Sequence, residues 1–396
     1  MKTMKNFLSM AALALVGAMM TGCSSDDNFA VEQQPENKNN VVTLTATVGF
    51  DDGVAATRAV TGTGVKTFAA GDQMAVIYKN TSSGTVKAVG TLTSGAGTKS
   101  GTFTFTLTNP DKTQNVTYIY PAAMAGSTGV DYTKLNSQKG TLTDLGSKYD
   151  LATNSGAWNA GALPSLTLNN QLAILAINLK NSTDITSTIT GMTIKVGSTT
   201  YTVSRSAAAG PIYVAIRPVT SQNIEVTATD GTDEYVKTLT SKTYAANNGY
   251  NVTWNMTKLP KVTWNSTNVF NDSHQMDALN EWHPTPLTYE DITISFSGTS
   301  VSMFSPYSPG VGTASLTCYG SDGDSFTFTA PSGKKFTKIE IINNFGFAFT
   351  PYGDWTQPVD EKIVWRGTPA NEVTLGGSDD TFAHDLNSIV FTLKDE

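Results

Sequence analysis

From residue 41 onward the chain is a succession of short runs in which apolar and polar residues alternate. Gly, Asn, Asp, Ser and Pro separate the runs. The first, VVTLTATVGF (41–50), places Val42, Leu44, Ala46, Val48 and Phe50 on one face and Thr43, Thr45 and Thr47 on the other. A period of two with one apolar face predicts a half-buried strand. QMAVIYK (73–79), GTFTFTL (101–107) and VTYIYPA (116–122) follow in the same manner, and residues 123–163 then lose the period. A second set opens at SLTLNNQLAILAINLKN (165–181) and continues through MTIKV (192–196), TYTVS (200–204), IYVAIRP (212–218), NIEVTAT (223–229) and EYVKTLT (234–240). It closes on GYNVTWNMTKL (249–259), where Pro260 interrupts. A third set includes DITISFSG (291–298), SFTFTA (325–330), FTKIEIINN (336–344), KIVWRG (362–367), NEVTLGG (371–377) and SIVFTL (388–393). Strands at this spacing with turn residues between them predict an all-β fold of tandem β-sandwiches, divided as 41–162, 163–259 and 260–396, the last of jelly-roll type.

The first 40 residues follow a different pattern. Lys2 and Lys5 precede an apolar run from Phe7 to Met20, the layout of a secretory signal over 1–22. The run is too short to span a bilayer stably. It ends in MTGC, which resembles the bacterial lipobox, in which the cysteine, here Cys23, receives acyl chains and becomes the mature N-terminus. Several acyl chains hold a protein firmly on a membrane. Residues 23–40, with Asp26, Asp27 and Pro35, read as a polar, flexible tether.

Composition narrows the function classes. Charged residues make up 15% of 396 residues and the net charge is −7, with no basic run after the N-terminus. Nucleic acid is thereby excluded as a partner, since phosphate contacts need clustered Lys and Arg. With Cys23 lipidated, Cys318 has no partner for an intrachain disulfide. HExxH, GxSxG and a strand-to-helix GxGxxG are all missing, and GAGTKSG (95–101) joins two strands as a hairpin turn. His274, His283 and His384 are read as surface or loop residues, and no enzyme or cofactor is expected beyond the lipid on Cys23. Two acidic loops have the oxygen content of calcium sites and also the residues of ordinary turns: Asp322 and Asp324 in one, Asp379, Asp380 and Asp385 in the other. Phe345, Phe347 and Phe349 alternate as core residues do. Tyr352 and Trp355 follow in a Pro/Gly loop and, with Trp282, are candidates for sugar stacking or for burial against a sandwich edge.

With these residues in view, the chain resembles the fimbrillin-like proteins of Bacteroidota, the major fimbrial subunit and Mfa-like group. The matching stretches are the lipobox at Cys23, VTLTATV, ATRA, FAAGDQMAVIY, YIYPA and LTLNNQLAILAINLK, within residues 1 to 258. The segment from 261 departs from that group's two-domain plan. The resemblance implies β-sandwiches of transthyretin or Greek-key type and export to the outer-membrane surface as a lipoprotein. It also implies cleavage by a trypsin-like protease after an arginine, here between Arg58 and Ala59. Such a cut would free the strand carrying Val42, Leu44, Ala46, Val48 and Phe50. The groove left behind would accept a strand from a neighbouring subunit. Ile389, Phe391 and Leu393 share one face of the C-terminal run and make it a candidate donor, or else the closing strand of its own sandwich. Two functions follow: a fimbrial subunit or accessory tip adhesin, with other subunits as partners, or a surface lipoprotein whose third domain binds host or dietary glycans or proteins.

Overall fold

The structure is a computed structural model that describes residues 40–50, 66–265, 286–297, 302–304, 316–320, 325–343, 353–356, 362–376 and 382–396. The chain is all-β and builds three packed units, each with its own apolar core.

The first unit contains β1 (Val41–Phe50), β2 (Gln73–Lys79), β3 (Thr85–Ser94), β4 (Ser100–Thr108) and β5 (Val116–Tyr120). The connecting segment then adds the short β6 (Ser137–Gln138), and β7 (Ala152–Gly156) and β8 (Leu166–Asn170) complete the set. Strands β1-β4-β3-β2-β5-β7-β8 form a closed ring, because β8 returns to lie parallel to β1. Alternation fills the interior with Phe103, Phe105, Leu107, Met74, Val76, Tyr118 and Leu168, while threonines take the outside. Gly101 lies opposite Val48 because the Phe68 ring fills the space of a side chain there; a Cβ would sit 2.7 Å from it.

The second unit packs two sheets. β9 (Ala173–Asn181) lies between β13 (Ile212–Ile216) and β16 (Asn248–Asn255), and β10 (Thr183–Asp184) pairs with its end. β9 is buried on both faces, which explains its near-continuous apolar run AILAINL. The facing sheet runs β17-β15-β14-β11-β12-β6, from β11 (Gly191–Val196), β12 (Thr199–Ser204), β14 (Val219–Thr229), β15 (Glu234–Tyr244) and β17 (Thr257–Lys258). Met124, Leu135, Leu145 and Leu151, from the stretch without a period, are buried in this second core. The division expected at 162/163 is therefore corrected at both ends. Residues 166–170 close the first ring, and much of 122–151 covers the second unit.

The third unit stacks two further sheets. One contains β18 (Lys261–Asn265), β21 (Ser302–Phe304), β22 (Leu316–Gly320), β24 (Lys334–Asn343), β25 (Lys362–Trp365) and β27 (Phe382–Asp395). The other runs β19 (Leu287–Tyr289), β20 (Ile292–Ser297), β23 (Ser325–Thr329), β26 (Glu372–Gly376) in order. Trp264, Phe328, Phe336 and Phe391 fill the space between them. Polar links fasten the unit to the second: Arg366 Nη1 lies 2.5 Å from Glu234 Oε1, Thr337 Oγ1 donates to Glu234 Oε2 at 3.1 Å, and Lys261 pairs with Asp233 at 2.9 Å.

Within the third unit, Lys338 at 2.8 Å and Lys362 at 3.2 Å flank the Glu340 carboxylate. Burial pushes its pKa up, but hydrogen bonds and charge from the two lysines outweigh burial and hold it below the ordinary 4.5. A carboxylate whose pKa is depressed by folding stabilises the fold above its unfolded pKa and loses that contribution as pH falls through the folded value. Melting curves are therefore expected to shift down as pH drops below about 4.5, and Glu340→Gln should flatten that dependence.

Candidate functional site

The first strand is held asymmetrically. Along one edge β1 pairs with β4 at nine positions, from Val41↔Thr108 to Gly49↔Ser100. Along the other, β8 pairs with Val48, Gly49 and Phe50 alone. Burial follows the same gradient. Val42 and Leu44 are half-buried, whereas Ala46, Val48 and Phe50 are 2%, 1% and 6% exposed. The outward threonines are exposed, and Thr47 and Thr102 share a hydroxyl contact of 3.2 Å across the β1–β4 ladder. The sequence-predicted strand thus exists with the expected face inward, anchored at its Phe50 end and lightly held at its Val41 end.

Phe50 is the anchor. Its ring stacks on Phe68 at 4.3 Å and meets the edge of Tyr120 at 5.4 Å. Lys66 Nζ lies 4.5 Å from the Phe50 ring centre and 5.1 Å from that of Tyr120, within cation–π range. The same ammonium pairs with Asp150 Oδ2 at 3.1 Å and donates to the Asp150 carbonyl at 2.9 Å, and both side chains are more than nine-tenths buried. A buried ion pair is tolerated where further partners satisfy it, and here Asn170 Oδ1 at 3.4 Å and the two rings are among those partners. Tyr120 donates to Asp72 Oδ2 at 2.6 Å; burial, then the Asp72 hydrogen bond and charge, push its phenol pKa well above the usual value. Nothing in the sequence marks Lys66 and Asp150 as partners 84 residues apart.

Stripping β1 away would uncover the inner wall of the ring, where Phe68, Phe103 and Phe105 lie essentially buried, and would open the edges of β4 and β8. An apolar groove flanked by two strand edges is a receptor for an incoming strand.

Other expected sites fare differently. Ile389, Phe391 and Leu393 are buried in β27, which pairs with β24 on one side and with β18 and β22 on the other. Both edges are occupied, so this strand completes its own sheet, and its part as a donor is corrected. Trp355 is corrected too. It is 5% exposed, its ring centre lies 6.3 Å from that of Phe328, and its Nε1 donates to the Thr374 carbonyl at 2.9 Å. An indole satisfied in this way belongs to the core and offers no platform to a sugar. Trp355→Ala is expected to destabilise the third unit by about 3–5 kcal/mol in denaturant unfolding, the usual cost of emptying such a site.

Cys23, Arg58, Ala59, Trp282, Tyr352, Asp322, Asp324, Asp379 and Asp380 lie outside the described residues. The β22–β27 register sets Cys318 opposite His384 and Thr317 opposite Asp385. Among the described residues no group of three His, Cys, Asp or Glu is placed to hold a metal.

No family model and no curated protein matches the chain. Solved structures do overlap with it in part. A fimbrial assembly protein from Parabacteroides distasonis shares 8% identity at a TM-score of 0.33, over 54% of this chain and 90% of that one. A candidate cell adhesion protein from Bacteroides fragilis shares 10% at 0.32, over 58% and 100%. Another from Bacteroides ovatus shares 11% at 0.32, over 56% and 95%. A likeness of this size carries no argument about function by itself.

Proposed function

We propose that the chain is a surface-anchored structural or adhesive subunit of a fibre, with β1 as a removable plug. The observation that carries this reading is the asymmetric hold on β1: nine ladder pairs on one edge, three on the other, and an apolar inward face. A strand wanted only for stability would gain from a partner along both edges. Here a lipid on Cys23 would anchor the plug, and a cut after Arg58 would part it from the remainder. The vacated groove would then take a strand from another copy or another subunit. That strand is not this chain's β27, which its own sheet retains. The role is structural, with no catalytic step.

Mild trypsin treatment of the mature, lipid-free chain tests this. The expected result is one early cut after Arg58, read by N-terminal sequencing, followed by oligomers in size-exclusion chromatography and fibres by electron microscopy. A chain that resists cutting at Arg58, or that stays monomeric once cut, would overturn it.

A further inference from the structure

A second place on the molecule has the make-up of a binding site. At the seam between the two sheets of the second unit lies a pocket of about 600 Å³. The end of β12, the start of β13 and residues 139–142 form its walls. That volume falls in the range of small-ligand sites. No acidic side chain lines it, whereas Lys139 and Arg205 both do. The carboxylate nearest in sequence to Lys139, Asp144, is already engaged by Lys148 at 2.8 Å and by the Lys139 backbone N–H at 3.1 Å. Neither Lys139 nor Arg205 forms an ion pair among the described residues. Arg205 is half-buried and fixed in place: its Nε donates to the Ser206 carbonyl at 3.2 Å and its Nη2 to that of Ala208. Burial without a counter-charge pulls its pKa below the ordinary arginine value.

The seam is tight at Gly140, beside Arg205. Gly140 has φ +70°, and a Cβ there would lie 2.7 Å from Val203 and 3.5 Å from the Arg205 side chain. Only glycine lets the backbone pass that close. Beside the cations stand the half-buried Tyr213 ring, Pro211, the exposed Leu142 and the hydroxyls of Ser204 and Ser206. A ring with one apolar face, several hydroxyls and a carboxylate matches this set. An added peptide strand does not match, because the β13 edge is already occupied. The Tyr213 N–H donates to the Gly140 carbonyl at 3.0 Å, and Pro211 has no N–H. Gln138 binds both backbone groups of Ala215, accepting from its N–H at 2.9 Å and donating to its carbonyl at 2.7 Å.

We propose that this pocket binds an acidic saccharide through its carboxylate, held between Arg205 and Lys139, with the sugar ring against Tyr213. Charge-assisted pairing with a fixed guanidinium supplies the orientation. The site is independent of the plug and its groove.

Isothermal titration of the full mature chain with oligogalacturonate, with sialyllactose and with their carboxyl-reduced counterparts tests it. At least one acidic sugar should bind at low ionic strength, and its reduced form should not. Lys139→Ala, at an exposed position that leaves the fold alone, should weaken binding about tenfold or more, as should Arg205→Gln. Raised salt should weaken it as well. Absence of binding by either acidic sugar, equal binding of the reduced forms, indifference to Lys139→Ala, or binding of a polyglutamate peptide or a sulfated sugar alone would each overturn the proposal.

Discussion

A chain lacking residues 24–50 is expected to fail as a monomer and to recover when β1 is returned as a separate peptide. Burial of Val48 and Phe50 contributes about 1.5–3 kcal/mol each, and the net gain per ladder hydrogen bond is about 0.5–1.5 kcal/mol. Nine pairs with β4 and three with β8 bring the contribution of β1 to the order of a whole domain's stability, about 5–15 kcal/mol. Without it, the truncated chain should elute as oligomers or aggregate and should melt at a lower temperature. Adding the peptide VVTLTATVGF (41–50) in excess should restore both the monomer and the melting temperature, by mass action on an open groove. The same peptide with Val48→Asp should not, because Val48 is 1% exposed and a carboxylate there has no partner. A truncated chain that stays monomeric at the intact melting temperature would show that β1 is dispensable and would remove the plug from the reading.

The second large effect is expected at Lys66. Lys66→Met takes from the buried Asp150 the ammonium that pairs with it at 3.1 Å, a loss of up to about 3–5 kcal/mol in urea unfolding. Replacing both, as Lys66→Met with Asp150→Leu, should recover most of it, since a buried pair exchanged for apolar groups of similar volume is often neutral or better. The single variant should also speed amide exchange across 41–50, because Lys66 lies over the Phe50 ring. If the single and double variants unfold alike, the ion pair is not what holds this corner.

Local period determined which face of a strand turns inward, and residues 41–50 show how far that reaches. The alternation located the strand, its ends and its buried side. It carried no information on the partners of a strand. The return of β8 to β1, the burial of Leu135 and Leu145 in the second core and the central seat of β27 all depend on contacts far apart in sequence. Trp355 was ambiguous for a related reason. A tryptophan among Pro and Gly reads as a loop residue until the Thr374 carbonyl that takes its N–H is known. Lys139 and Arg205 stand 66 positions apart and carry no motif, so only the folded seam brings them to one pocket.

The uneven hold on β1 also sets how the protein meets mechanical load. Tension arriving through residue 40 reaches β1 at Val41, the end with one ladder and half-buried side chains. Under a pull directed across the ladder, the strand peels pair by pair instead of shearing all at once, so the first steps need little force. Resistance climbs only at Val48 to Phe50, where β8, Phe68 and the Lys66–Asp150 pair converge. Such a joint is compliant under small forces applied at Val41 and stiffens just short of Phe50.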